Sequence, residues 1–111
     1  MNAIARYIQD IERIGGLRGT DIANVADVSK ATVSRWLSGK AQPQPANELK
    51  LSELSYVIGR LDDYYSADEI RIWLHAPHPQ LDGERAIDLI HAGRSREVLQ
   101  IIRRLDAEAY L

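Results

Sequence analysis

With 111 residues, 45% of them hydrophobic, the chain has the size of one small domain, or two very small ones sharing a core, and the composition of a folded globule, so disorder is excluded. A formal net charge of −2 excludes a general polyanion binder, and the lack of cysteine excludes disulfides and thiolate metal sites. No apolar run approaches the ~18 residues of a membrane span, and the amphipathic, mixed-charge N-terminus does not read as a signal peptide, so a cytoplasmic protein with no membrane partner is expected.

Residues 3–14 predict a helix with Ile4, Tyr7, Ile8, Ile11 and Ile14 on one stripe, ended by Gly15-Gly16. Residues 20–40, TDIANVADVSKATVSRWLSGK, predict two short helices joined by a tight turn. In the first, Ile22, Ala23, Val25 and Ala26 give an apolar face, with Thr20 as the expected N-cap. Asp27-Val28-Ser29 breaks the pattern, and Ser29 is the expected cap of a second helix over 30–38. Val33, Trp36 and Leu37 form its core-facing stripe, while Lys30, Ala31, Ser34 and Arg35 lie opposite. Gly39 stands where a left-handed residue ends a helix, and Pro43 and Pro45 stop any continuation.

Asn47 is the expected cap of a longer helix with Leu51, Leu54, Ile58, Leu61 and Tyr65 on a stripe, helped by Val57; that stripe is either core or a self-association surface. Ser66-Ala67-Asp68-Glu69 reads as a capping box that opens a helix through Ile70, Trp73 and Leu74, terminated by Pro77. Residues 78–83 read as a loop and 84–91 as a short helix closed by Gly93. Ser95 is the expected cap of a last helix, apolar at Val98, Leu99, Ile102 and Leu105. No segment alternates as a strand would. The expected fold class is all-α: a helix-turn-helix domain over residues 1–46 and a small helical domain over 47–111.

The run Val28-Ser29-Lys30-Ala31-Thr32-Val33-Ser34-Arg35-Trp36-Leu37-Ser38-Gly39 resembles the helix-turn-helix of the Cro/phage-repressor (Xre-like) family. In that family the second helix enters the major groove and its N-terminal residues meet base edges. The resemblance implies base contacts for Lys30, Ala31 and Arg35, and positions near phosphates for Ser29, Ser34 and Lys40. The chemistry is suitable, since Arg or Lys donates to guanine O6 and N7 and a small apolar group meets a thymine methyl. The competing reading makes Lys30 and Arg35 a solvated helix face. Between residues 18 and 45 the bases Arg18, Lys30, Arg35 and Lys40 stand against Asp21 and Asp27 only. Affinity for DNA scales with the phosphates neutralised, so one copy is expected to bind operator DNA weakly. A homodimer reading two half-sites, within a larger hetero-oligomer, is the expected assembly.

A second spaced pattern comprises Trp73-Leu74, Pro77, Leu81-Asp82-Gly83, Asp88-Leu89-Ile90, Gly93 and Val98. It resembles the toxin-binding domain of the Xre/MbcA/ParS antitoxins, with two departures: Ala86 where the family usually has proline, and Ala109 where it often has glycine. The resemblance implies a non-enzymatic inhibitor that binds a RES-domain toxin, an enzyme that consumes NAD, in a complex that represses its own operon. It also implies that the family's C-terminal segment lies over the toxin's active-site entrance. Here that segment is Asp106, Ala107, Glu108, Ala109, Tyr110 and Leu111. Tyr110 and Leu111 are large apolar side chains where chains are usually polar; they are interface anchors or fold back on their own core. The terminal carboxylate of Leu111 adds a charge that a basic nucleotide pocket would attract.

Other chemistry is sparse. Arg94, Arg96, Arg103 and Arg104 read as exposed, either paired with acidic groups of a partner or merely solvated. His75 and His78 are separated by Pro77, and His91 is distant, so no metal site is expected. Asp62-Asp63 and Asp68-Glu69 are adjacent pairs whose members diverge on a helix, so no catalytic carboxylates and no cofactor are expected. Trp36 and Trp73 read as core. The alternative function is a free-standing repressor whose second half only dimerises.

Overall fold

A computed structural model describes residues 2–109, and these form seven α-helices with no strand. The first, α1 (Ala3–Arg13), is capped by Asn2, whose side chain accepts from the Ala5 N–H at 2.9 Å. Its stripe Ile4, Ile8 and Ile11 is buried and lies along α4 (Pro45–Leu61). The approach is close at Gly15, where a Cβ would come within 2.6 Å of Ile58 Cδ1. Gly16 turns the chain at φ +64 and sits against the Ala67 carbonyl, so the turn after α1 is seated on the start of α5 (Ala67–His75).

Helix α2 (Gly19–Ala26) does not begin at Thr20 as expected. Its start is held by the Asp21 carboxylate, which accepts from the Arg18 N–H at 3.0 Å and leaves Thr20 exposed inside the first turn. Asp27 closes it in the left-handed region at φ 57. Helix α3 (Lys30–Leu37) is capped as expected: Ser29 Oγ accepts from the Thr32 N–H at 3.1 Å. Val33 and Trp36 are buried, but Leu37 is 39% exposed. The covered arc is centred between Val33 and Trp36, and Leu37, a hundred degrees further round from Trp36, falls beyond its edge.

Pro45 opens α4 at its first position instead of blocking a helix, since its missing N–H is one a helix start does not use. Gln44 is the cap residue, and Asn47 lies inside the first turn, its own N–H donating to the Gln44 carbonyl. Leu51, Leu54, Val57, Ile58 and Leu61 are fully buried, so this stripe is core. The helix touches α1, α2, α6 (Ala86–His91) and α7 (Ser95–Glu108), and one continuous apolar cluster runs from Ile4 to Ile102 around it.

The Ser66–Glu69 capping box at α5 forms in both directions, at 2.9 and 3.3 Å. Ile70 and Leu74 are buried; Trp73 is only half-buried, its ring 4.5 Å from that of His78. The expected loop contains a 3₁₀ turn, Pro79–Leu81, that buries Leu81. Ala86 is the first residue of α6 and fully buried, a position that takes proline or alanine equally well in backbone terms. Ser95 is not the cap of α7. Arg94 is, and Ser95 is buried with its hydroxyl donating to Glu53 Oε2 at 2.7 Å. A carboxylate across the core outcompetes the local backbone for that hydroxyl.

Candidate DNA-reading and partner-binding surfaces

The exposed side of α3 carries Lys30, Ala31, Ser34 and Arg35, and Ser29 and Lys40 flank it, also exposed. This face is held outward because Val33 and Trp36 are pinned beneath it against α1 and α2. After α3, Gly39 at φ +80 lets the N–H groups of Lys40 and Ala41 turn back onto the Arg35 carbonyl. Lys40 is thereby brought beside the C-terminal end of α3. Ser29 spends its hydroxyl on the cap and on Thr32 Oγ1 at 3.0 Å. Lys30, Arg35 and Lys40 form no ion pair among the described residues.

Two acidic residues of the same unit, Asp21 and Asp27, meet the second half of the chain. Asp21 and Asp27 face an open cleft of about 390 Å³ between α2, α5 and α6, shared with His75, Arg85, Asp88 and His91. His75 Nε2 lies 3.3 Å from Asp21, and His91 Nε2 lies 2.8 Å from Asp27. Lys50 of α4 approaches Asp27 from its other side at 3.8 Å. The hydrogen bond from His91, opposed by partial desolvation, holds the Asp27 carboxyl below its usual range. Asp88 is likewise lowered, by a two-pronged bond from Arg85 at 2.8 and 2.9 Å. Asp21 and Asp27 are therefore hydrogen-bonded by the second half of the chain, whereas Lys30, Arg35 and Lys40 stay without an ion pair among the described residues. These pairings were not evident in the sequence, where the histidines stood out only as metal candidates; the partners are 54 and 64 residues apart. His78 goes elsewhere, to the Trp73 carbonyl at 2.8 Å, so the three rings do not converge. No cluster among the described residues has the makings of a metal site, and no helix among them is long and apolar enough to cross a membrane.

Asp106 of α7 is tied back to α4 and to the turn that follows it. Arg60 and Tyr64 both donate to its carboxylate. Tyr64 first, then Arg60, holds that carboxyl below its ordinary range, and the same bond pushes the Tyr64 hydroxyl up to about 12. Ala107, Glu108 and Ala109 are exposed; Tyr110 and Leu111 lie outside the described residues. Of the four arginines expected to be exposed, Arg94 is exposed but committed, to Glu97 at 2.6 and 2.9 Å and to Glu84 at 3.3 Å. Arg96, Arg103 and Arg104 point to solvent.

Comparison with known proteins places this arrangement. Residues 60–110 match the family described as the antitoxin Xre/MbcA/ParS C-terminal toxin-binding domain. A Mycobacterium tuberculosis protein named a probable mycobacterial cidal antitoxin is 31% identical over 94 residues, which is 85% of this chain and 80% of that one. The fold is also similar to a chain in the crystal structure of the M. tuberculosis MbcT–MbcA toxin–antitoxin complex, with a TM-score of 0.85 and 28% identity over the whole of both chains.

Proposed function

The chain belongs to the Xre/MbcA-type antitoxins, and from that premise we propose that it binds and inhibits a cognate RES-domain toxin that consumes NAD. The observation that carries this reading is the fold match over the full chain to a member of a toxin–antitoxin complex, joined to a toxin-binding domain match that reaches residue 110. In this reading the protein is a regulator and not an enzyme. Residues 47–111 form the toxin-binding and dimerising part. Residues 106–111 cover the toxin's active site, and the bonds from Arg60 and Tyr64 to Asp106 support this by fixing where the tail leaves the body.

Residues 1–46 are the operator-binding part, through Ser29, Lys30, Ala31, Ser34, Arg35 and Lys40. Supporting this are the exposed cations of α3 and its flanks, which form no ion pair among the described residues, and the engagement of Asp21 and Asp27 by His75 and His91. With so few cations, one copy grips DNA weakly. Repression of the operon then needs a homodimer within a larger complex with toxin.

The test is a tagged pull-down of the full chain from its own host, followed by an NAD-consumption assay on the co-purified protein. A stoichiometric partner that destroys NAD once this chain is stripped away is the expected result. Deletion of residues 107–111 should then abolish neutralisation and leave operator binding intact. A clean preparation with no partner overturns the reading and leaves a free-standing repressor.

A further inference from the structure

Three of the seven arginines in residues 56–111 are engaged by carboxylates within the chain. Arg60 holds Asp106, Arg85 holds Asp88, and Arg94 holds Glu97 and Glu84. Arg96 and Arg103 are different: both are exposed on α7, and neither lies within ion-pair distance of a carboxylate among the described residues. They are seven residues apart, which places them on one line of the helix, with the exposed Gln100 between them and the exposed Ala107 beyond. From Arg96 to Ala107 this line is roughly 16 Å long at the rise of an α-helix. Arg104 stands beside it, also exposed and likewise without an ion-pair partner among the described residues, above a shallow hollow whose Glu97 is already held by Arg94.

The orientation of this line is imposed by the core. Val98 and Ile102, on the other side of α7, are fully buried, so the helix cannot rotate the arginines inward. The chain as a whole is acidic, with 16 carboxylate side chains against 14 lysines and arginines. In such a chain a positive line is not a by-product of a basic composition. It also runs directly into residues 107–109, where the proposed toxin contact begins.

We propose that the Arg96–Gln100–Arg103 face of α7 docks on an acidic surface of the toxin and steers the encounter between the two proteins. This rests on the toxin-binding reading above. The guanidinium group presents a planar fork of donors that fits carboxylates two-pronged, and two such groups two turns apart specify both sign and spacing. A charged line at the margin of an interface acts mainly on the association rate, and salt weakens it.

The experiment compares the full chain with its Arg96→Glu/Arg103→Glu variant, binding to the purified toxin at low and high salt, with association and dissociation read separately. Circular dichroism and thermal unfolding verify that the exposed substitutions leave the fold unchanged. The expected result is association slowed by roughly tenfold or more at low salt, with the difference closing as salt rises. An Arg96→Gln/Arg103→Gln variant should fall between. Wild-type association by the folded Glu variant at low salt overturns the proposal. So does a variant that keeps toxin association but loses a DNA gel shift, which would assign the face to phosphate. If the wild-type chain itself captures no toxin, the antitoxin reading has failed and this proposal falls with it, a result separate from a defect confined to the variants.

Discussion

Ser95 and Asp106 illustrate how single polar groups join distant elements. The Ser95 hydroxyl is buried and donates to Glu53 on α4. Ser95→Ala leaves a half-buried carboxylate without that donor, so we expect a loss of about 1–2 kcal/mol, read by urea denaturation. Asp106 is exposed enough that its effect is better read by pH. Its carboxyl lies below the usual range in the folded chain, so the stability it lends is present above the unfolded value of about 4 and is lost as pH falls through the folded value. At the alkaline end Tyr64 is raised to about 12 from an ordinary 10.0, so its contribution is complete below the unfolded value and disappears as pH climbs to the folded one. The tie between α7 and α4 should therefore hold from about pH 4 to about pH 10. Amide exchange in the last turn of α7 should rise outside that window, and Asp106→Asn should remove the acid limb; an unchanged limb would contradict the assignment.

At the scale of elements, α3 and α5 are the most self-contained. The caps at Ser29 and Ser66 were legible in sequence because each needs only a backbone N–H three residues on, and nothing across the core competes for the hydroxyl. Thr20, Asn47 and Ser95 had the right chemistry at nearly the right place, yet none caps its helix. Asp21 closes the start of α2, Pro45 sets the start of α4 one turn earlier than Asn47 would, and Glu53 claims Ser95. For α3 the test concerns its exposed face. Lys30→Ala/Arg35→Ala removes two cations without touching Val33 or Trp36, so melting should stay within about 0.5 kcal/mol of wild type. Operator retention in a gel shift should fall, and the slope of affinity against salt should flatten by up to about two charges. No shift for either protein at any salt would mean that α2 and α3 serve packing alone.

At the scale of the molecule, α4 is the common wall of the structure. The buried cluster is continuous from α1 to α7, and Leu54 sits within it with no exposed surface. Leu54→Ala should cost about 2–5 kcal/mol, and the chain should still unfold in one transition at a lower midpoint. Separate transitions for the two halves, seen by tryptophan fluorescence at Trp36 and Trp73, would show that the cluster does not couple them. The seam between α2 and the pair α5 and α6 adds polar links to that wall, with His75 and His91 answering Asp21 and Asp27.

The sequence by itself determined the all-helical class, the order of the helices and most of their core faces, because a 3.6-residue period and an i to i+3 cap are properties of one or two turns. It also carried both family patterns, since these are runs of residues at short spacing. Only the tertiary structure decided the rest. Leu37 emerged at the edge of the covered arc because the neighbours of α3, not its own pattern, define that arc. The histidine partners of Asp21 and Asp27 and the partners of Ser95 and Asp106 lie between 42 and 64 residues away in the chain. A polar side chain satisfies its hydrogen bonds with whatever the fold brings within about 3 Å, and that proximity has no period in the sequence.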